Sequence, residues 1–192
     1  MIAVGGMSGS GKTTIGHALG HITPGAIFLD SDVLKKKMFG VDPLTTLPDA
    51  VYAPDQIQKF IKFIREEVAK EMKNHDVVIV TGLFIDDISR IEQRAFAEKS
   101  DADFIGIYLH APLSVIFSRF QKRDDTPSDA TLEVIKRQAR MLLGKNKKYE
   151  NWAVVDSDQS FENVLNDSLK AINKTKSQIK YPKQKKCLQK KF

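Results

Sequence analysis

The sequence has only one cysteine, Cys187, among its 192 residues, so no disulfide can form within the chain. Such scarcity is typical of proteins in a reducing compartment, and we therefore expect a cytoplasmic location. Long apolar runs are also missing, because no stretch approaches the ~20 apolar residues that a membrane-spanning helix needs. The first residues, MIAVGG, lack the basic segment followed by an apolar stretch that marks a secretory signal. We expect neither a membrane span nor secretion.

Acidic residues are absent from the end of the chain. Residues 174–192 contain eight lysines and no Asp or Glu, whereas residues 1–173 hold 22 Lys and Arg against 24 Asp and Glu. The formal charge of +6 therefore originates in the last 19 residues. We expect one domain over residues 1–173, followed by a Lys-rich, disordered tail over 174–192. Because the domain itself is slightly acidic, a nucleic-acid partner is an alternative that the charge does not favour.

Short apolar runs alternate with longer amphipathic stretches through most of the chain. The runs predict five strands, at residues 2–4, 26–29, 76–81, 104–109 and 152–155. Helical periodicity predicts helices at residues 12–19, 55–73, 88–99, 112–122, 130–143 and 160–172. Continuously apolar strands are typical of a parallel sheet that is buried on both faces. The alternation therefore predicts an α/β, doubly wound fold with right-handed crossovers.

A glycine-rich segment after the first predicted strand fits the pattern G-x-x-x-x-G-K-[ST]. Its residues are Gly6, Met7, Ser8, Gly9, Ser10, Gly11, Lys12 and Thr13, with Thr14 directly after them. Glycines let the backbone N–H groups turn towards phosphate oxygens, and the following helix adds its positive N-terminal end. We expect Lys12 to reach the β- and γ-phosphates and the Thr13 hydroxyl to bind Mg²⁺. The segment therefore predicts a site for ATP and Mg²⁺.

Two carboxylates follow the second predicted strand, in the sequence Phe28-Leu29-Asp30-Ser31-Asp32. Ligands of parallel sheets bind beyond the carboxyl ends of the strands, so both side chains can face the γ-phosphate of a nucleotide. We predict that Asp32 orients or deprotonates an acceptor hydroxyl and that Asp30 helps to hold Mg²⁺. Alternatively, Asp32 only caps a helix that begins at Val33, a role that aspartate often has.

Two arginines, Arg119 and Arg123, end a predicted helix just before the polar segment DDTPSD. Their i,i+4 spacing places both guanidinium groups on one face of that helix. Phosphoryl transfer needs cations around the departing charge, so these arginines predict a lid over the nucleotide. The alternative is a solvated basic helix end, which the helix dipole favours. Arg137 and Arg140 are weaker candidates for the same role.

Together, these segments resemble the P-loop small-molecule kinases, a group that includes polynucleotide 5′-kinases, zeta-type toxins and chloramphenicol phosphotransferase. The resemblance is strongest to predicted AAA-type kinases that are often fused to aminoglycoside-phosphotransferase-like domains, and it covers about residues 1–172. The matching segments are GMSGSGKTT (6–14), LDSDVLKKKMFGV (29–41), LPDAVY (47–52), SDAT (128–131), Trp152 and VDS (155–157).

The resemblance implies a P-loop NTPase sandwich: a five-stranded parallel sheet in the order 2-3-1-4-5, helices on both faces and an arginine-bearing lid. It also implies an ATP-dependent phosphotransferase that moves the γ-phosphoryl group to a hydroxyl of a small molecule. Its catalytic residues would be Lys12, Asp32, Arg119 and Arg123, and Lys35 would lie near the acceptor.

One departure from the family concerns the end of the third strand. The family usually has an aspartate there that helps to hold Mg²⁺, whereas this chain has Thr81. Asp30, Asp86 or Asp87 could replace the missing acid, or the activity could be reduced. Two alternative functions therefore stay open: a nucleotide-dependent binding or regulatory module with weak ATPase activity, and a nucleic-acid 5′-end kinase.

Overall fold

The computed structural model of the chain describes residues 1–122, 127–142, 149 and 151–178. Their strands are β1 (Ile2–Gly6), β2 (Ala26–Leu29), β3 (Val77–Gly82), β4 (Ile105–His110) and β5 (Trp152–Asp156). Their helices are α1 (Lys12–Ile22), α2 (Ser31–Met38), α3 (Pro54–Glu71), α4 (Asp87–Lys99), α5 (Leu113–Gln121), α6 (Leu132–Leu142) and α7 (Phe161–Gln178). A short 3₁₀ turn, Asp49–Tyr52, precedes α3.

The five strands form one parallel sheet in the order β2-β3-β1-β4-β5, which confirms the order that the family resemblance implied. In the register of this sheet, Val4 of the central strand lies opposite Thr81 on one side and Ile107 on the other. Parallel strands bring their carboxyl ends to a single edge. The residues that follow β1, β2 and β5 therefore meet at that edge with the end of β3.

Both faces of the sheet are covered by helices, which explains why the strands read as continuous apolar runs. Ile2 and Val4 pack with residues of α1 and α7 on one face, while Ala3 packs with Val68 of α3 and with Trp152 on the other. A third cluster joins α5 and α6 to the residue after β1, Met7. The segment after β1 is therefore anchored by apolar packing against α5 and α6.

The last helix extends further than the sequence indicated, because α7 continues to Gln178 and includes the first five residues of the predicted tail. Residues 179–192, with Cys187, lie outside the described part of the chain. Among the helices that the structure describes, none combines the length and the apolar character needed to cross a membrane.

A buried ion pair fastens the α5–α6 connection to α2. Asp129 accepts hydrogen bonds from Nζ of Lys36, which is 1% exposed, and from the hydroxyl of Tyr52 at 2.6 Å. Lys36 also donates to the backbone oxygen of Thr45 at 2.5 Å. Burial, followed by the hydrogen bond to Asp129, raises the pKa of Tyr52, so its hydroxyl stays protonated and donates. We call Lys36, Tyr52 and Asp129 the clasp.

Close packing between β4 and β5 leads to a first prediction. A Cβ added at Gly106 would lie 2.4 Å from the indole ring of Trp152, so Gly106→Ala should overpack the core. We expect a loss of about 1–3 kcal/mol in the free energy of unfolding, measured by urea titration. Adding Trp152→Leu removes the clashing ring, so the double variant should lose less than the sum of the two single variants. Strict additivity would contradict this packing argument.

The clasp predicts a pH dependence of stability. Burial raises the pKa of the Asp129 carboxyl, but the hydrogen bonds from Lys36, Tyr52 and Leu47 outweigh it and hold the pKa below its ordinary 3.8. A lowered folded-state pKa adds stability above the ordinary pKa, and this stability is lost as the pH falls below it. The difference in unfolding free energy between wild type and Asp129→Asn should therefore be constant from about pH 7 to about pH 5 and shrink below about pH 4. Urea titrations across this range check it, and a constant difference down to the lowest folded pH would count against the clasp.

Candidate active site

The loop between β1 and α1 is shaped by three glycines. Gly9 and Gly11 have φ angles of 85° and 90°, a region that favours glycine. At Gly6, a Cβ would lie 2.5 Å from Oγ of Ser10 and 2.6 Å from the backbone oxygen of Leu109. A side chain at this position is therefore excluded, and the backbone folds into the concave cradle that the motif predicts.

Two contacts hold this loop in shape. Nζ of Lys12 reaches back across it and donates to the backbone oxygen of Met7 at 2.8 Å. The side-chain amide of Gln138 in α6 pairs with Ser8, accepting from its N–H at 2.9 Å and donating to its hydroxyl at 3.1 Å. Through Gln138, α6 thus helps to fix the shape of the loop.

Asp30 connects the loop to the turn after β2. Its Oδ2 accepts from the hydroxyl of Thr13 at 2.8 Å, and its Oδ1 accepts from the N–H of Asp32 at 2.8 Å. Asp30 is thereby the N-cap of α2, which begins at Ser31. The alternative in which Asp32 caps a helix beginning at Val33 is therefore wrong.

Asp32 lies in the first turn of α2, and its side chain is one-third exposed. Nζ of Lys35 lies 3.6 Å from its carboxylate. The same ammonium group is 4.7 Å from the ring centroid of Tyr52 and 5.1 Å from that of Phe60, both within cation–π range. Asp32 is therefore held beside a cation that is itself fixed by two aromatic rings.

Thr81 is the next-to-last residue of β3, at the position where the family resemblance predicts an acid, and it is buried. Its hydroxyl accepts a hydrogen bond from the N–H of Ser31 at 3.2 Å, which ties the turn after β2 to the neighbouring strand.

Asp86 caps α4 through the N–H of Ser89, and Asp87 pairs with Arg90. Neither contact involves the phosphate loop. Among the three acids that could replace the missing one, Asp30 is the residue that touches Thr13.

The hydroxyl of Thr13 and the carboxylate of Asp30 form a hard oxygen donor set, which suits Mg²⁺. A cleft of about 500 Å³ opens beside them, a size typical of a small-molecule site. Thr14, Asp32 and Thr81 also line this cleft, together with the rest of the phosphate loop from Ser8 onwards. Phosphate-loop residues and the candidate acceptor base therefore share one cavity.

Arg119 reaches the cleft from α5, where it joins the wall made by the residues after β5. Its Nη2 donates to the backbone oxygen of Ser157 at 2.5 Å, and Gln159 and Phe161 lie in the same wall. Arg123 lies outside the described residues. Arg137 and Arg140 are exposed on α6 and are not among the residues that line the cleft.

Sequence reasoning missed Gln138, whose signal is a polar residue in the buried stripe of α6 beside Ile135 and Ala139. It also missed the clasp. Nothing in the sequence distinguishes buried Lys36 from its exposed neighbour Lys37, because the contact with Asp129 is made 93 residues away.

Comparison with known proteins places these features in a family. The model of the AAA domain family matches residues 1–143, about three quarters of the chain. No curated protein matches the sequence.

Solved structures resemble the fold over nearly its full length. A gluconokinase from Sinorhizobium meliloti 1021 matches with a TM-score of 0.66 and 22% identity, covering 92% of this chain and 93% of that one. A shikimate kinase from Acinetobacter baumannii, in complex with shikimate, has a TM-score of 0.61 and 18% identity, covering 94% of each chain. The tunicamycin resistance protein of Deinococcus radiodurans has a TM-score of 0.59 and 14% identity, covering 91% and 94%. The family match, with the sheet order and the phosphate loop, shows that the chain belongs to the AAA domain family and has the fold of the P-loop kinases.

Proposed function

We propose that the protein is an ATP-dependent phosphotransferase that moves the γ-phosphoryl group of MgATP to a hydroxyl of a small molecule. The observation that carries this proposal is the shared cleft, in which Asp32 and the phosphate loop line one cavity. The gluconokinase and shikimate kinase that resemble this chain act, by their names, on small hydroxylated molecules. The single cysteine agrees with a reaction in the cytoplasm.

The nucleotide would lie with its phosphates in the cradle of residues 6–14. Backbone N–H groups of the loop and the ammonium of Lys12 supply positive potential there. Thr13 and Asp30 would hold Mg²⁺, and the ion would supply charge neutralisation at the phosphates. Arg119 lies in a wall of the same cleft, where its guanidinium would stabilise the charge on the transferring phosphoryl group, as the lid prediction expects.

Asp32 would act on the acceptor. Its carboxylate accepts a hydrogen bond from the acceptor hydroxyl and takes up the proton as the oxygen attacks the γ-phosphorus. The bond from the γ-phosphorus to the bridging oxygen breaks, and ADP leaves with that electron pair. Lys35 lies 3.6 Å from the Asp32 carboxylate and would help to fix its position, while Lys12 would stabilise the charge on the transferring group. Most of the catalysis would thus come from positioning and electrostatics.

A regulatory module with weak ATPase activity is the second candidate, and Thr81 favours it. Threonine has no carboxylate to offer at the position where the family usually has an acid. The Thr81 hydroxyl instead accepts a hydrogen bond from the N–H of Ser31. ATP turnover that no small molecule stimulates would support this candidate, whereas a phosphorylated product supports the first.

Replacement of the acceptor base gives the first prediction of this proposal. Asp32→Asn should lower transfer at least ~100-fold, because general-base catalysis contributes that much or more. MgATP affinity should stay within about twofold, because Asp32 makes no described contact with the phosphate loop. Wild type, the variant and MgATP are incubated with a pooled extract of small molecules, and mass spectrometry follows products heavier by one phosphoryl group. Asp55→Asn, at an exposed position in the first turn of α3, is the matched control and should behave as wild type. Equal product from Asp32→Asn would remove the assigned role.

Loss of the loop lysine tests the nucleotide site. Lys12→Ala removes charge-assisted hydrogen bonds to the phosphates, each worth about 1.5–3 kcal/mol, so MgATP affinity should fall about 10- to 100-fold. Isothermal titration calorimetry measures it, with Lys62→Ala, an exposed lysine of α3, as the control. Undiminished affinity in Lys12→Ala would show that the loop does not hold the nucleotide phosphates.

A further inference from the structure

The segment 127–142 is fastened to both walls of the cleft. On the acceptor side, Asp129 holds Lys36 of α2 and Tyr52 of the 3₁₀ turn. On the phosphate side, Gln138 pairs with Ser8 of the phosphate loop. Gln138 is buried, the Asp129 side chain is only 9% exposed, and the two residues are nine positions apart along the chain. One continuous segment thus spans the two halves of the site.

The clasp also contacts the candidate base through a short chain of side chains. Tyr52 donates its hydroxyl hydrogen to Asp129 and presents its ring to the ammonium of Lys35, 4.7 Å from the centroid. Lys35 in turn lies 3.6 Å from the carboxylate of Asp32. Every contact in this series joins described atoms, so a change at Asp129 can reach Asp32 through only two intermediate residues.

Stability alone is a weak reason for the clasp. The desolvation of two buried charges offsets most of their attraction, and apolar residues of similar size often stabilise a protein as well or better. The two fastenings fix the position of α2, which carries Asp32, relative to the phosphate loop, which carries Lys12. An apolar core would fix this position less specifically.

We propose that Asp129 is a positioning residue for phosphoryl transfer, which acts through Tyr52 and Lys35 to hold Asp32 at its working distance from the phosphate loop. This inference rests on the function proposed above. Neither Asp129 nor Tyr52 lines the described cleft, whereas Pro127 and Ser128 beside Asp129 do, so we expect their loss to change the rate of transfer more than the affinity for the nucleotide.

Tyr52→Phe provides the sharpest test, because it keeps the ring beneath Lys35 and removes only the hydroxyl that Asp129 holds. Tyr108→Phe is the matched control, because that buried hydroxyl has no hydrogen-bond partner among the described residues. Asp129→Asn and the double variant Tyr52→Phe/Asp129→Asn complete the set. Each is assayed well below its own unfolding temperature, with MgATP and a dilution series of the pooled small-molecule extract, so that the maximal rate and the half-saturating dilution are obtained separately.

We expect Tyr52→Phe and Asp129→Asn each to lower the maximal transfer rate about tenfold, and the double variant to be no slower than the slower single variant, because neighbours in one network are not additive. The MgATP affinity measured by calorimetry should change less than about twofold. A general loss of structure would lower this affinity as well. Tyr108→Phe should keep the wild-type rate. If Asp129→Asn does not fold, Tyr52→Phe against Tyr108→Phe decides alone.

An unchanged maximal rate in Tyr52→Phe overturns the positioning role while leaving the kinase function intact. An equal loss in Tyr108→Phe also overturns it, because the effect would then follow from any lost tyrosine hydroxyl. If the wild type itself transfers nothing to the extract, the proposed function fails, and the positioning role fails with it.

Discussion

The two oxygens of the Asp30 carboxylate organise the site. One accepts from the Thr13 hydroxyl at the start of α1, and the other caps α2. A single buried side chain thus sets the phosphate loop against the helix that carries Asp32. The parallel sheet makes this possible, because only strands whose carboxyl ends share an edge can bring the residues after β1 and β2 together. The burial of Asp30 is offset by both hydrogen bonds, as a buried carboxylate requires.

Thr81 shows how a departure from a family pattern can be absorbed locally. Its hydroxyl bonds to the N–H of Ser31, so the end of β3 supports the same turn that Asp30 caps. The carboxylate that faces Thr13 comes from the neighbouring strand, β2, instead of β3. One turn therefore supplies both the candidate acceptor base and the candidate oxygen donor for Mg²⁺.

Local patterns in the sequence were sufficient for the strands, most of the helices and the phosphate loop. Apolar runs predicted every strand to within one or two residues, because burial on both faces of a parallel sheet leaves a clear signature. The first residue of α2 was harder to predict from the sequence, because Asp30, Ser31 and Asp32 are all good capping residues and only the hydrogen bonds distinguish them. The clasp could not be predicted, because Lys36 and Asp129 are 93 residues apart in the sequence and only the tertiary fold brings them together.

The proposed function requires this cleft to pass a phosphoryl group from ATP to an organic hydroxyl. The most direct measurement follows the label from [γ-³²P]ATP after incubation of the purified protein with Mg²⁺ and the pooled extract, and asks whether it appears on an organic compound or on inorganic phosphate. A phosphotransferase would place the label in an organic phosphate whose formation depends on the extract. Label found only in inorganic phosphate, at a rate that the extract does not change, would contradict the proposed function.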